Sequence, residues 1–121
     1  MQPADLDDIA ERLFAFFVAW DLDAVANMLA PQATITQNGR TTPAVEALAA
    51  IGALRSVIGD HRYVDVRRTF GERTVVEEHR VVSTTPAGVA VDLSACVVIR
   101  VDDSGMITAL DEYVDTAPLL R

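Results

Sequence analysis

The chain has 121 residues, with 10 Lys+Arg against 18 Asp+Glu, a formal net charge of -8, and half of its residues apolar, a composition that excludes a disordered chain and predicts one globular domain over residues 1–121. At this length roughly two thirds of the unfolded surface is buried, enough for a core and a small internal pocket but not for two domains. The acidic balance gives no electrostatic reason to meet phosphate backbones or anionic lipid, so nucleic-acid and membrane partners are not expected.

Every basic residue is Arg, and the absence of Lys removes Schiff-base catalysis and the P-loop lysine. Glycines at 39, 52, 59, 71, 88 and 105 are too dispersed for a phosphate-cradling loop. The single Cys96 and the two histidines, His61 and His79, cannot assemble a zinc set or a disulfide within one chain, which suits a reducing compartment. Met1 to Asp5 lacks the positive start of a signal peptide, and Leu13 to Trp20 is too short to span a bilayer, so a cytoplasmic location is expected.

In chain order, Ile9, Leu13, Phe16, Phe17 and Trp20 mark one face of a helix with Asp5 as its N-cap. A short second helix carries Leu22, Val25, Met28 and Leu29 on one side, with Asp21 as cap and Pro31 as stop. Ala33 to Gln37 reads as a strand ending in the turn dipeptide Asn38-Gly39. Thr42-Pro43 opens a third helix that runs to Ile58 and stops at Gly59. The second half reads as four strands, His61 to Phe70, Arg73 to Thr85, Val89 to Val101 and Met106 to Asp115, joined by hairpin connections. In the third of these every odd residue from Val89 to Val101 is apolar, while Asp92, Ser94 and Arg100 are polar, so one face is core. The order predicts an α+β roll, three N-terminal helices packed on a curved, mostly antiparallel sheet.

In the last strand Leu110, Glu112 and Val114 share a face, and Glu112 interrupts an apolar row. Facing the helices, its carboxyl would have a raised pKa suited to acid-base work; in the flipped alternative Ile107, Ala109 and Tyr113 face inward. Arg73 to Thr85 is equally ambiguous, with Val76, Glu78, Arg80 and Val82 on one face and Val75, Glu77, His79 and Val81 on the other. With the even face inward, Glu78 and Arg80 bring an ion pair into the cavity. Thr36 and Asn38 could position a water or substrate oxygen. His79 and Cys96 belong to no evident nucleophile-base constellation, and Tyr63 and Trp20 read as packing residues rather than ligand platforms.

The order of elements, with Asp21-Leu22-Asp23-Ala24-Val25, Ala33-Thr34-Ile35-Thr36-Gln37-Asn38 and Gly105 to Asp115, resembles the NTF2-like superfamily, which includes SnoaL-like polyketide cyclases, ketosteroid isomerases and limonene-epoxide hydrolases. The resemblance covers nearly the whole chain and implies a cone-shaped, cystatin/NTF2-like roll. The register is most similar to the limonene-epoxide hydrolases, whose last-strand carboxylate and first-strand Asn match Glu112 and Asn38; their Tyr is Thr36 here, and their Arg-Asp pair falls on Glu78 and Arg80 in reversed order. A ketosteroid isomerase would need a Tyr and two acids where this chain has Leu13, Gln37 and Val97, and the cyclases' preceding His is Leu110.

The resemblance implies a small, largely apolar metabolite bound between helices and sheet, with no organic cofactor and no metal required. Glu112, Arg80, Glu78, Asn38 and Thr36 are the candidate catalytic residues. Leu93, Ala95, Val97, Leu110, Val114 and Val82 would line the pocket, with Phe16 and Trp20 from the first helix. Hydrolysis, isomerisation and cyclisation all suit such a site. The alternative is a non-catalytic ligand-binding or dimerisation module, and a homodimer through the outer sheet face is expected in either case.

Overall fold

The computed structural model describes residues 1–120. Helix α1 (Pro3–Val18) starts earlier than the Asp5 cap predicts: Pro3 takes the first turn, where its missing N–H costs nothing, and Gln2 is the N-cap. Asp5 instead reaches back, its carboxylate accepting from the Gln2 backbone N–H at 2.9 Å. At the other end Trp20 N–H bonds to the Phe17 carbonyl and Asp21 N–H to that of Phe16, a Schellman closure that puts Trp20 at φ 56, a conformation usually left to glycine. Helix α2 (Leu22–Met28) is capped by Asp21 as expected, but it ends at Met28, and Pro31 lies inside the strand that follows.

Strand β1 (Leu29–Gln37) turns at Asn38-Gly39, both at positive φ, into a short edge strand β2 (Arg40–Pro43) that the sequence did not reveal. The expected third helix is two, α3 (Ala44–Ala53) and α4 (Arg55–Ile58), with Pro43 rather than Thr42 as N-cap. Gly59 then turns at φ 73 with its α-carbon so close to β4 that a Cβ would meet the Thr84 carbonyl oxygen at 2.7 Å. Strands β3 (His61–Gly71), β4 (Thr74–Thr84), β5 (Ala90–Val101) and β6 (Ile107–Val114) follow, and a 3₁₀ turn (Ala117–Leu120) packs on β5.

The sheet order is β2-β1-β6-β5-β4-β3, antiparallel except for the β1–β6 pair. Irregularities bend it around the helices: one in β3 between Val64 and Arg67, with Asp65 at φ 55, and one in β6 after Ile107. The three N-terminal helices and the curved, unclosed sheet are the predicted α+β roll. Among the described residues no helix is long and apolar enough to cross a membrane.

The core lies between α1 and the concave face, where Leu6, Ile9, Leu13 and Phe14 meet Ile35, Val75, Ile99 and Leu110. Phe14 displaces the expected Phe16 from that face; Phe16 is only half-buried. One ion cluster ties α1 to β3. The Arg68 guanidinium donates to Asp7 Oδ1 (2.9 Å) and Glu11 Oε2 (2.7 Å) of α1, and its Nε to Glu77 Oε1 (2.7 Å) of β4. Because Glu77 is fully buried, removing the cation would strand a carboxylate away from water. Arg68→Met should therefore cost about 3 kcal/mol in urea unfolding, and a loss below about 1 kcal/mol would show the cluster to be energetically idle.

Candidate active site

The concave face changes character along its length. A fully apolar row of Val75, Ile99, Leu110 and Ile35 is followed by a row in which Glu77, Val97, Glu112 and Gln37 stand side by side across β4, β5, β6 and β1. Glu112 therefore faces inward, as the alternation from Leu110 predicts, and is half-buried; Gln37 Nε2 donates to its Oε1 at 2.8 Å. The flipped alternative holds at one residue only: the bulge after Ile107 lets both Ile107 and Leu110 point inward, while Tyr113 is 54% exposed on the outer face.

Strand β4 turns its odd face inward, which corrects the expectation for Glu78, Arg80 and Val82. Thr85 N–H donates to the Val89 carbonyl across a three-residue loop, so odd residues of β4 oppose odd residues of β5, and those are the apolar, inward ones. Glu78 lies on the outer face, paired with Arg67 at 3.3 Å. Arg80 lies there too, between Asp65 (2.6 Å) and Asp92 (3.1 Å), and Val82 sits beside them opposite Asp92.

The first-strand residues are also placed differently from expectation. Thr36 points outward, its hydroxyl 2.8 Å from that of Thr41. Asn38 spends its side chain on β6, donating to the Val114 carbonyl (3.0 Å) and accepting from the Val114 N–H (2.9 Å), so both polar atoms are held to the backbone rather than aimed at the concave face. Gln37, between them, is the inward amide.

What the inward face of β4 presents is a carboxylate–imidazole pair. His79 Nδ1 lies 2.5 Å from Glu77 Oε2, and both side chains are fully buried. With the other Glu77 oxygen taken by Arg68, Nδ1 carries the proton and Nε2 keeps a lone pair, and Nε2 is buried without a partner among the described residues. The Phe14 ring stands edge-on to the imidazole at 5.1 Å and Tyr63 lies at 4.4 Å. Burial, reinforced by the Glu112 and Glu77 carboxylates, pushes the Tyr63 phenol well above its usual range, so it stays a donor. Its oxygen is 3.1 Å from His61 Nε2.

Of the expected lining residues, Leu93, Ala95, Val97 and Leu110 are buried on the concave face and Val114 is half-buried there. Trp20 packs edge-on to His61, their ring centroids 5.1 Å apart, and Phe16 packs on the margin of the core. An open cleft of about 400 Å³ lies between α4, the β4–β5 loop and the 3₁₀ turn, with Val91 lining it. Another, of about 390 Å³, between α2, β1 and α3 has no titratable side chain. Cys96 lies on the outer face, its thiol pushed up by burial and by Glu78, which keeps it a poor nucleophile.

His61 gives a pH signature. Burial lowers its pKa below the ordinary 6.5, outweighing the attraction of Asp60. The unfolded chain therefore takes up a proton near pH 6.5 while the folded one resists, so the stability from neutral His61 is full above that pH and is lost as pH falls toward the lowered value. Urea midpoints should fall between about pH 7.5 and about pH 5.5, and less steeply in His61→Gln; identical slopes would remove His61 from the effect.

No functionally curated protein matches the sequence. Among solved structures, the chain is similar to an NTF2-like protein of unknown function from Burkholderia pseudomallei K96243 (TM-score 0.84, 21% identity, 100% of this chain and 97% of that one). It is also similar to a provisionally named SnoaL-like polyketide cyclase from Jannaschia sp. CCS1 (TM-score 0.85, 16% identity, 99% and 93%). AusH from Aspergillus nidulans has the same fold (TM-score 0.84, 15% identity, 96% and 87%). These likenesses show the same fold over the whole roll, and residues 10–110 match the model of the SnoaL-like domain family, so the chain belongs to that family.

Proposed function

We propose that this protein is a cofactor-independent acid–base enzyme acting on a small, largely apolar carbonyl compound, as an isomerase or cyclase. The observation that carries the reading is the buried Glu77–His79 pair, whose Nε2 has no hydrogen-bond partner among the described residues. A carboxylate that holds Nδ1–H fixes the tautomer and stabilises the imidazolium formed when Nε2 takes a proton. A proton on the carbon beside a carbonyl fits that base, because the developing enolate oxygen needs a neutral donor and the Tyr63 phenol is one. The His79 imidazolium gives that proton back at a second carbon, and Glu112, held by Gln37 at the more exposed end of the row that holds Glu77, is the carboxylate placed to relay it. Reprotonation there gives an isomer; attack of the enolate carbon on a second carbonyl gives a ring.

This reading departs from epoxide opening of the limonene-epoxide hydrolase kind, which would draw on Asn38, Thr36, Glu78 and Arg80. Those residues are hydrogen-bonded to backbone or turned outward. A binding module without chemistry is the second reading, and what favours it is the closure of the dyad under Phe14 and Tyr63. In both readings the protein is a homodimer, because the outer sheet face presents Tyr113 with the half-buried Val76, Cys96 and Val98. Tyr113→Glu should convert the dimer to monomer in sedimentation, and a wild-type monomer at micromolar concentration would refute it.

Enones, β-diketones and polyketide-like carbonyl compounds are the substrates to screen. For any compound turned over, His79→Gln should lower kcat by about 10²- to 10⁴-fold with the fold intact. Turnover unchanged in that variant would remove His79 from the mechanism.

A further inference from the structure

Four buried side-chain polar atoms lack a partner among the described residues: His79 Nε2, His61 Nδ1, Trp20 Nε1 and Ser83 Oγ. All four belong to the region where α1 meets β3 and β4. Buried polar groups are nearly always satisfied, by ordered water or by a bound molecule where the protein itself supplies no partner. The proposed reaction uses only the first.

The other three are neighbours. His61 and Ser83 are directly opposed in the β3–β4 register, and the Trp20 ring stands edge-on to the His61 ring with centroids 5.1 Å apart. The Arg55 guanidinium lies 5.7 Å from the Trp20 ring centroid and is itself paired with Asp60, so the indole is held between α4 and the sheet. Trp20 holds this place in a left-handed conformation that a bulky residue rarely adopts. Ser83 is opposed on its other side by Val91, which lines the open cleft together with Ser56 and Val57 of α4.

The chemistry of the trio is specific. An indole N–H only donates, a hydroxyl donates and accepts, and an imidazole whose Nε2 faces the Tyr63 hydroxyl offers its remaining nitrogen. None brings a full charge to a neutral imidazole's site, so the complement is an uncharged oxygen. Ser83 lies four positions along β4 from His79, on the order of 13 Å of strand, with Val81 and Leu93 opposed between them on the inward face.

We propose that Trp20, His61 and Ser83 form a second recognition point, which binds a hydroxyl or carbonyl oxygen at the far end of an elongated apolar ligand whose reacting carbonyl lies at His79. The assignment of the reacting end rests on the acid–base reading above; the oxygen-binding trio does not.

The test uses the single tryptophan as reporter. The protein is titrated with 2-decalone, 2-decalol and decalin, following Trp20 fluorescence and its one indole N–H resonance in ¹H–¹⁵N spectra. The ketone and the alcohol should bind saturably, about tenfold more tightly than the hydrocarbon, and shift the indole proton downfield. Ser83→Ala, a small change expected to fold normally, should reduce that preference to about threefold or less, and His61→Phe should do the same, while His79→Gln should leave it intact. Equal affinity for all three probes, a preference that survives both Ser83→Ala and His61→Phe, or no saturable shift would overturn the proposal and leave the trio as a site for ordered water. A preference for oxygen without turnover of any carbonyl compound would defeat the enzymatic reading alone; His79-dependent turnover without the preference would defeat this one alone.

Discussion

Much of this structure depends on one buried carboxylate. Glu77 sits with no solvent exposure in a sheet face that is otherwise apolar on its closed side, a position tolerable only when both oxygens are paired. Arg68 takes one and His79 the other. To bring Arg68 to the same face as His61 and Tyr63, β3 has to change parity, and the bulge at Asp65 does that: odd residues face inward before it, and Arg68 opposes Glu77 after it. The same guanidinium reaches Asp7 and Glu11, so the neutralisation of Glu77 also fixes α1, and with it Phe14, over His79. Charge compensation, helix docking and the orientation of the candidate base are thus one arrangement.

Along the concave face polarity increases in a fixed order. The closed end is aliphatic; next come two carboxylates separated by Val97; beyond them lie His79 beside Ala95, Tyr63 against Val81, and finally His61 and Ser83 under Trp20. Such a gradient suits a ligand that leaves water with its apolar body and finds hydrogen bonds at defined points. It also explains why Tyr63 is not merely a packing residue. Its ring covers His79 while its hydroxyl meets His61, so it couples the two polar regions.

Much of this was legible in the sequence, and what was not has a definite cause. The odd-residue row of β5 is apolar without exception, which fixes its inward face, and the turn residues delimit the last four strands, whereas Pro31 hides the start of β1. The face of β4 looks undetermined when that strand is read alone, since both alternations mix valines with charges. Its register was nevertheless implicit: a Pro86-Ala87-Gly88 loop leaves Thr85 opposite Val89, and that parity carries the apolar face of β5 onto Val75, Glu77 and His79. Reading the two strands as a pair would have found the dyad and placed Glu78 and Arg80 outside. The face of Glu112 was harder, because the bulge after Ile107 changes parity with no glycine or proline to announce it. Strand β2 escaped notice because Arg40–Pro43 is a short, mostly exposed edge with no alternation to detect.

Three non-glycine residues at positive φ stand where the site is set: Trp20, Asn38 and Asp65. Asn and Asp adopt this conformation at modest cost, and here each uses its side chain as well. Asn38 replaces a strand residue by pairing both amide atoms with Val114, while its backbone N–H bonds to the Glu112 carbonyl, so the β1–β6 ladder continues into the turn and holds Gln37 beside Glu112. Asp65 forms the bulge that rotates Arg68 inward and accepts from Arg80 on the outer face. At Trp20 the compensation is in the backbone, the Schellman hydrogen bonds that close α1, while its indole nitrogen has no partner among the described residues. Trp20 thus ends α1 and packs its ring between Arg55 and His61, so the turn that closes the first helix also places the indole beside the polar end of the concave face.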